Sequence, residues 1–282
     1  MFVQEHSKEH RVVHLCRALG VSESGYYDWL SRPPSERESE NIRLVKKIRR
    51  SHRLSDNVYG SAKVHADLVE SGEACSKNRI ARLMRKHGIQ SKLRRKFILT
   101  TDSKNTQKAA PDRLRRNFSE VEPNRRWVSD TTFIATRQGW LYLAVILDLY
   151  SRSVVGWSMG NKNDADLVCD ALTMAVNRRQ PKPGLILHSD QGSTYASGKY
   201  QALIKEHKLV CSMARKGECL DNAVAESFFG SLKNERVYHE TYKTRAEARQ
   251  KVFQYIEVFY NRKRRHAYLD YKTPFEVEQQ AA

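Results

Sequence analysis

Arg126-Trp127-Val128-Ser129-Asp130-Thr131-Thr132-Phe133-Ile134, followed after Gly139 by Trp140-Leu141-Tyr142-Leu143-Ala144-Val145-Ile146-Leu147, is the stretch on which the reading of the chain turns. The first run alternates apolar and β-branched residues, which is strand chemistry. The second is apolar almost throughout, a second and more buried strand. Val154 to Met159 supplies a third. Downstream, Leu167, Val168, Ala171, Leu172 and Ala175 recur at helical spacing over Asp164 to Arg178. Gly184 to Asp190 reads as a short buried strand ending in polar residues. A helix around Lys199 to Lys208 and a short strand, Leu209 to Met213, come next. Asp221 to Val237 and Arg245 to Arg262 are helical. The order is β-β-β-α-β-α-β-α. Three successive strands followed by alternating helices and strands specify an α/β layered domain with a mixed sheet.

Upstream of this stretch the chain reads as helices. Val12, Val13, Leu15, Cys16 and Leu19 share a helical face, Gly20 breaks it, and Ser22 caps a helix carrying Tyr26, Tyr27, Trp29 and Leu30. This is a helix-turn-helix outline within residues 1–33. Pro33-Pro34 ends it. Residues 38–98 form a second helical region: a helix over about Glu38 to His52, another from Ser61 to Glu70, and a third capped by Ser76, faced by Ile80, Leu83 and Met84, and ended by Gly88. Residues 99–122 are polar and nearly aperiodic, and read as a linker. The α/β domain occupies 123–240, and 241–282 form a basic helical C-terminal region.

The composition agrees with a nucleic-acid partner. The 282 residues hold 50 Lys+Arg against 32 Asp+Glu, a net charge of +18. Residues 1–120 carry 26 basic and 14 acidic side chains, so the helical half holds most of the excess. Eight Lys/Arg and no acid lie between Arg79 and Lys96, among them Arg79, Arg82, Arg85, Arg94 and Arg95. A second cluster runs Arg262-Lys263-Arg264-Arg265-His266. Two such clusters suggest a phosphate-binding surface that acts by counterion release, with Arg264 and Arg265 as its C-terminal contacts. The longest apolar run, Trp140 to Leu147, is eight residues, against roughly 20 for a membrane span. Residues 1–10 have no secretory h-region. Five scattered cysteines fit free thiols in a reducing cytoplasm. His6, His10, His14 and Cys16 lack any C-x-x-C partner and read as helix surface, not a zinc cage.

Three acids are placed to carry chemistry. Asp130 lies inside the first strand. Asp190 closes a later strand, where α/β domains place ligand-binding groups. Glu226 shares a helical face with Asn222 and Lys233. Asp148 also ends a strand; it reads first as a turn cap and second as a ligand. Carboxylates beside a basic surface suit magnesium or manganese acting on phosphates. Two such ions can polarise the attacking and leaving oxygens of a phosphodiester.

At these residues the sequence resembles the OrfB transposases of bacterial insertion sequences of the insertion-sequence-three type, which carry a retroviral-integrase-like core. The matching motifs are Trp127-x-x-Asp130-x-Thr132, then His188-Ser189-Asp190-x-Gly192-x-x-Tyr195, then Asp221-Asn222-Ala223-x-x-Glu226-Ser227-Phe228-Phe229-x-x-Leu232-Lys233-x-Glu235. Asp190 and Glu226 are separated by 35 residues, the family's spacing. Tyr260-Asn261-x-x-Arg264-x-His266-x-x-Leu269-x-Tyr271-x-Thr273-Pro274 matches the C-terminal signature, and Tyr59-Gly60 with Ala81-Arg82-Leu83-Met84 the N-terminal one. The resemblance implies a ribonuclease H-like fold and an Asp130-Asp190-Glu226 triad around two magnesium ions, with manganese as a substitute. It implies Lys233 on a phosphate, Asn222 orienting Glu226, cleavage at DNA element ends, and strand transfer to target DNA. It further implies a homo-oligomer on DNA, an upstream-frame partner protein, and a bacterial, cytoplasmic, nucleoid-associated setting without membrane. Two other readings share the parts: a DNA-binding regulator with an inactive core, and a ribonuclease H-type nuclease cutting hybrids.

Overall fold

The computed structural model describes residues 2–92, 110–215 and 222–281. Arg94, Arg95, Cys219, Asp221 and the first part of the expected linker lie outside the described residues. Six helices open the chain: α1 (Phe2–His6), α2 (Val12–Ala18), α3 (Glu23–Ser31), α4 (Glu36–Leu54), α5 (Ser61–Glu70) and α6 (Lys77–Lys86). Three of the six have serine N-caps, and two of these, Ser22 and Ser76, are the caps read from the sequence. The Ser22 hydroxyl accepts from Gly25 N–H, Ser35 from Glu38 N–H and Ser76 from Arg79 N–H, at 3.1, 3.2 and 3.2 Å. Gly88, at φ +63°, closes α6 in the left-handed conformation that glycine adopts without strain. The small α1–α3 unit has its own cluster of Val3, Cys16 and Tyr26.

The α/β domain follows with β1 (Arg126–Thr136), β2 (Gly139–Asp148), β3 (Val154–Gly160), α7 (Ala165–Arg179), β4 (Ile186–Ser189), α8 (Gly198–Glu206), β5 (Val210–Met213) and α9 (Ala223–Glu235). The sheet order is β3-β2-β1-β4-β5. The first three strands are antiparallel neighbours, and β4 and β5 join parallel to β1. The β-β-β-α-β-α-β-α order is the one read from the sequence. Strand alternation sends side chains to two layers. Trp127, Ala144 and Ile146 pack against α7 and α8. Val128, Leu143, Val145 and Leu147 pack with α9, the C-terminal helices and α4–α6 in one continuous core. Gly156 permits the close seat of α7 on β3, since a Cβ there would stand 2.3 Å from the Ala171 carbonyl oxygen.

Two segments differ from the sequence reading. The described part of the linker lies on the core: Leu114 is buried, Phe118 packs beside it, and Arg113 N–H donates to Ser212 Oγ at 2.9 Å. One apolar residue every fourth position is too little to register as periodicity, yet enough to anchor a strap. The helix expected over Arg245 to Arg262 is α10 (Arg245–Phe253) continued by a π-helical stretch, Gln254–Tyr260, before α11 (Pro274–Gln279). The wider turn brings Tyr255, Ile256, Phe259 and Tyr260 all into the core. No helix of the described residues is long and apolar enough to cross a membrane.

Candidate active site

β1 pairs with β4 only over Arg126–Val128. Beyond it, among the described residues, the β4 side of β1 gains a partner again at the Thr136–Tyr242 bridge. Asp130 stands in the open stretch between. β4 ends at Ser189, so Asp190 emerges at the carboxyl end of the adjacent strand. α9 packs on β1 and presents Glu226 in its first turn. Each acid is partly buried.

The electrostatics tie these groups together. The Asp130 carboxyl is pushed well above the usual range by desolvation, then by the negative charge of Asp190; Glu226 adds to this, and Lys233 opposes it. The Thr131 N–H, 2.7 Å from Asp130 Oδ1, holds part of the charge. Burial raises Asp190 and Glu226 as well, and the Gly192 N–H, 2.8 Å from Asp190 Oδ1, opposes this at Asp190. Burial lowers the Lys233 ammonium, while Asp130 works against that. All three carboxyls are disfavoured by burial, and Asp130 is further repelled by Asp190 and Glu226 and favoured by the Lys233 ammonium. No three His, Cys, Asp or Glu side chains among the described residues are drawn close enough to hold a metal ion.

Neighbouring motif residues build the walls. A Cβ at position 192 would lie 2.9 Å from Asp190 Oδ1, so Gly192 keeps the space in which that carboxylate turns. Ser129 Oγ donates to Tyr195 Oη at 3.1 Å, and Tyr195 meets Tyr200 edge-on. His188 Nδ1 lies 2.9 Å from Ser212 Oγ, deep in the sheet, which explains a motif histidine that never reaches the opening. Asn222 is the N-cap residue of α9; its Nδ2 donates to the Ser129 carbonyl at 3.2 Å. It thus ties α9 to β1 beside Asp130, a different contact from the expected one to Glu226. Its Oδ1 is buried with no hydrogen-bond partner among the described residues. Asp148 is fully buried and accepts from the Asn124 and Tyr150 N–H groups, each at 2.9 Å. It is the turn cap of the first reading, on the far side of the strand pair from Asp130 in register terms: Trp127 faces Asp148 while Asp130 faces Val145.

The expected DNA contacts divide. Arg82 and Arg85 are exposed on α6. Arg79 is half-buried and joins α6 to α4, its guanidinium on Glu40 and Asn41. Arg264 and Arg265, expected as C-terminal DNA contacts, are instead buried and ion-paired within the protein. Each is only 8% exposed. Arg264 forks onto Glu235 at 2.7–3.0 Å and reaches Ser231, both on α9. Arg265 pairs with Asp67 and Glu70 of α5 and donates to the Tyr271 carbonyl. A run of cations looks like surface in sequence, and Arg262 and Lys263 are exposed, yet partners more than 25 residues away bury Arg264 and Arg265. The sequence reading also missed a stripe on α4. Lys46, Arg49 and Arg53 are exposed and line a groove of about 720 Å³ closed by Gly88, Ile89 and Gln90. Their spacing of three and four along one helix was the available signal.

Residues 120–219 and 226–281 match models described as integrase core domain, and residues 38–97 one described as HTH-like domain. The insertion element IS600 uncharacterized 31 kDa protein of Shigella sonnei is 41% identical over 92% of this chain and 96% of its own length. Transposase InsF for insertion sequence IS3A of Escherichia coli K12 is 37% identical over 99% of this chain and 97% of its own. Among solved structures, the HTLV-2 integrase catalytic core domain in complex with magnesium is 18% identical, covers 56% of this chain and 97% of that one, and has a TM-score of 0.43. The chain belongs to the integrase-core transposases of the IS3 family of insertion sequences, enzymes that act on DNA as polynucleotidyl transferases.

Proposed function

We propose that Asp130, Asp190 and Glu226 are the catalytic carboxylates of this transposase and that they hold divalent cations. The observation that carries the reading is the electrostatic coupling of Asp130 to Asp190, Glu226 and Lys233 at the open side of β1. The donor chemistry suits a hard cation: burial disfavours the charged form of these carboxylates, and a cation would favour it. The unsatisfied Asn222 Oδ1 can accept from a cation's water, although the three side chains are not drawn together into one ligand cluster. Magnesium bound there, with manganese as substitute, would supply Lewis-acid activation of the attacking and leaving oxygens.

The residues themselves account for the rest. Lys233 offers its ammonium to a phosphate beside Asp130. Gly192 N–H and Thr131 N–H fix the rotamers of Asp190 and Asp130, so the carboxylates are aimed before substrate arrives. Water first cuts a phosphodiester at an element end and frees a 3′-hydroxyl. That oxygen then bonds a target phosphorus while the target's own 3′ oxygen leaves, so no protein nucleophile is needed. Arg82 and Arg85, with Lys46, Arg49 and Arg53, hold duplex phosphates. Arg94 and Arg95 belong to the same proposal on charge alone. We place the enzyme as a homo-oligomer on bacterial chromosomal DNA in the cytoplasm, with an upstream-frame protein as a fusion partner.

The test is an end-joining assay with the full chain, an element-end duplex and a plasmid target. Joined product in magnesium, none in chelator, and no cleavage of an RNA–DNA hybrid are expected. Hybrid cutting without end joining would replace the reading with a ribonuclease; DNA binding without any product would leave a regulator.

A further inference from the structure

Beside the carboxylates, at the tip of β1 and β2, two aromatic rings stand in the open. Phe133 and Trp140 are 39% and 49% exposed. Their centroids are 4.8 Å apart with planes at 76°, an edge-to-face pair that leaves at least one ring face uncovered. Their strand partners explain why they stay partly exposed. Phe133 faces Tyr142 and Ala135 faces Trp140, past the end of the layer that α7 and α8 cover. Phe133 lies three residues from Asp130, about 10 Å along an extended strand and on its opposite face, so Lys233, which reaches both, is what joins the rings to the carboxylates.

The surroundings are cationic. Lys233 Nζ lies 5.3 Å from the Phe133 ring centre, and the same ammonium interacts with Asp130. Arg245 Nε donates to the Trp140 carbonyl at 3.0 Å, while its backbone N–H donates to Gln138 Oε1. Arg137 is exposed at the same tip. Two exposed rings flanked by Lys and Arg are what a sugar–phosphate strand with unstacked bases requires. A base inside a duplex offers no free face to a protein ring and the terminal pair of a blunt end offers one, whereas an unpaired base offers two.

We infer that Phe133 and Trp140 form a stacking platform for an unpaired nucleobase next to the scissile phosphate, with Lys233 and Arg245 holding the phosphates that flank it. This rests on the active-site reading, and it assigns the tip a preference for frayed over fully paired DNA ends. The alternative is that the pair only braces the β1–β2 turn, in which case its removal changes stability and not DNA preference.

The experiment is fluorescence anisotropy on the full chain with three probes in chelator: a blunt duplex, the same duplex with three unpaired nucleotides at one end, and that overhang made abasic. Wild type should bind the unpaired end roughly tenfold more tightly than the blunt one, and the abasic overhang should lose that gain. Trp140→Ala and Phe133→Leu should bring the preference within twofold, while Trp140→Phe keeps most of it. Melting curves of each variant identify any that unfolds, and the wild-type comparison of blunt, unpaired and abasic ends then carries the test. Asp190→Asn should retain the preference. The platform is overturned if wild type binds all three probes alike, if abasic sites keep the gain, or if Trp140→Ala and Phe133→Leu weaken every probe equally. An Asp190→Asn variant that still cleaves DNA would instead overturn the active-site reading and leave the platform result standing.

Discussion

Gly192 shows how a motif letter becomes a physical constraint. Its missing Cβ leaves the room occupied by Asp190 Oδ1. Gly192→Ala should therefore displace that carboxylate and lower end cleavage by at least about tenfold, since small misplacements at a reacting centre are costly. Melting temperature should change little, because the residue lies in a polar loop; a fully active alanine variant would contradict this. Arg264 predicts the reverse pattern. Burial alone would raise the Glu235 carboxyl, yet Arg264 beside it holds it below the ordinary value. Arg264→Ala strands that carboxylate, at a cost of about 3–5 kcal/mol in urea unfolding. By contrast Arg82→Ala should leave unfolding unchanged and reduce the salt slope of DNA binding by about 1. The carboxylates at 130, 190 and 226 are proposed from the motifs and the 35-residue interval of the family resemblance; local residue chemistry alone would not have singled them out. Burial of Arg264 and Arg265 was not legible, because Glu235, Asp67 and Glu70 meet them only after folding.

Elements were legible where one periodicity governs. α4–α6 and the strands declared themselves through caps and alternation, and their order specified the sheet. The π-helical turn after α10 did not, since it is defined by backbone hydrogen bonds that side-chain spacing does not encode. The basic stripe of α4 was diluted by Arg43 and Lys47, which serve Glu73 instead. Separating these populations yields an element-level prediction. Arg49→Ala with Arg53→Ala should weaken duplex binding and lower the salt slope by about 2, uniformly across sequences. An unchanged slope would remove α4 from the DNA-binding surface.

At the scale of the whole molecule, the C-terminal signature is a clamp. Tyr59 Oη donates to the Lys263 carbonyl at 2.7 Å and accepts from the Arg265 N–H at 2.8 Å, while Asn261 exchanges two hydrogen bonds with the Val154 backbone. The α4–α6 region, the sheet and α9 are therefore held by one short segment. His266 lies within it, neutral, pushed down to about 2 by burial and by Arg264, Lys63 and Arg152. Its Nε2 faces the Arg264 guanidinium, which only donates, so this nitrogen is the acceptor. The unfolded chain binds a proton at His266 below about 6.5 and the folded one does not, so stability falls as pH drops from that point. Asp148, raised by burial to about 6, acts with the opposite sign between its ordinary 3.8 and 6. Between pH 6.5 and 6 the histidine dominates this pair, and His266→Gln should flatten the wild-type loss, which is at most about 1.4 kcal/mol per pH unit. Equal pH slopes would refute the clamp's sensitivity.

The division of charge within the +18 total is thus spatial. Exposed cations on α4 and α6 are free to meet a polyanion, which is the role proposed for them; paired cations at the C-terminus join the parts, and a small acidic set lies at the open side of β1. That set is the central claim, and single-turnover cleavage of element-end DNA in magnesium tests it most directly. Asp130→Asn, Asp190→Asn and Glu226→Gln should each cut at least about a thousandfold more slowly than wild type, with duplex affinity retained and melting temperature equal or higher, because mutual repulsion is relieved. Wild-type cleavage rates in any of the three variants would contradict the account.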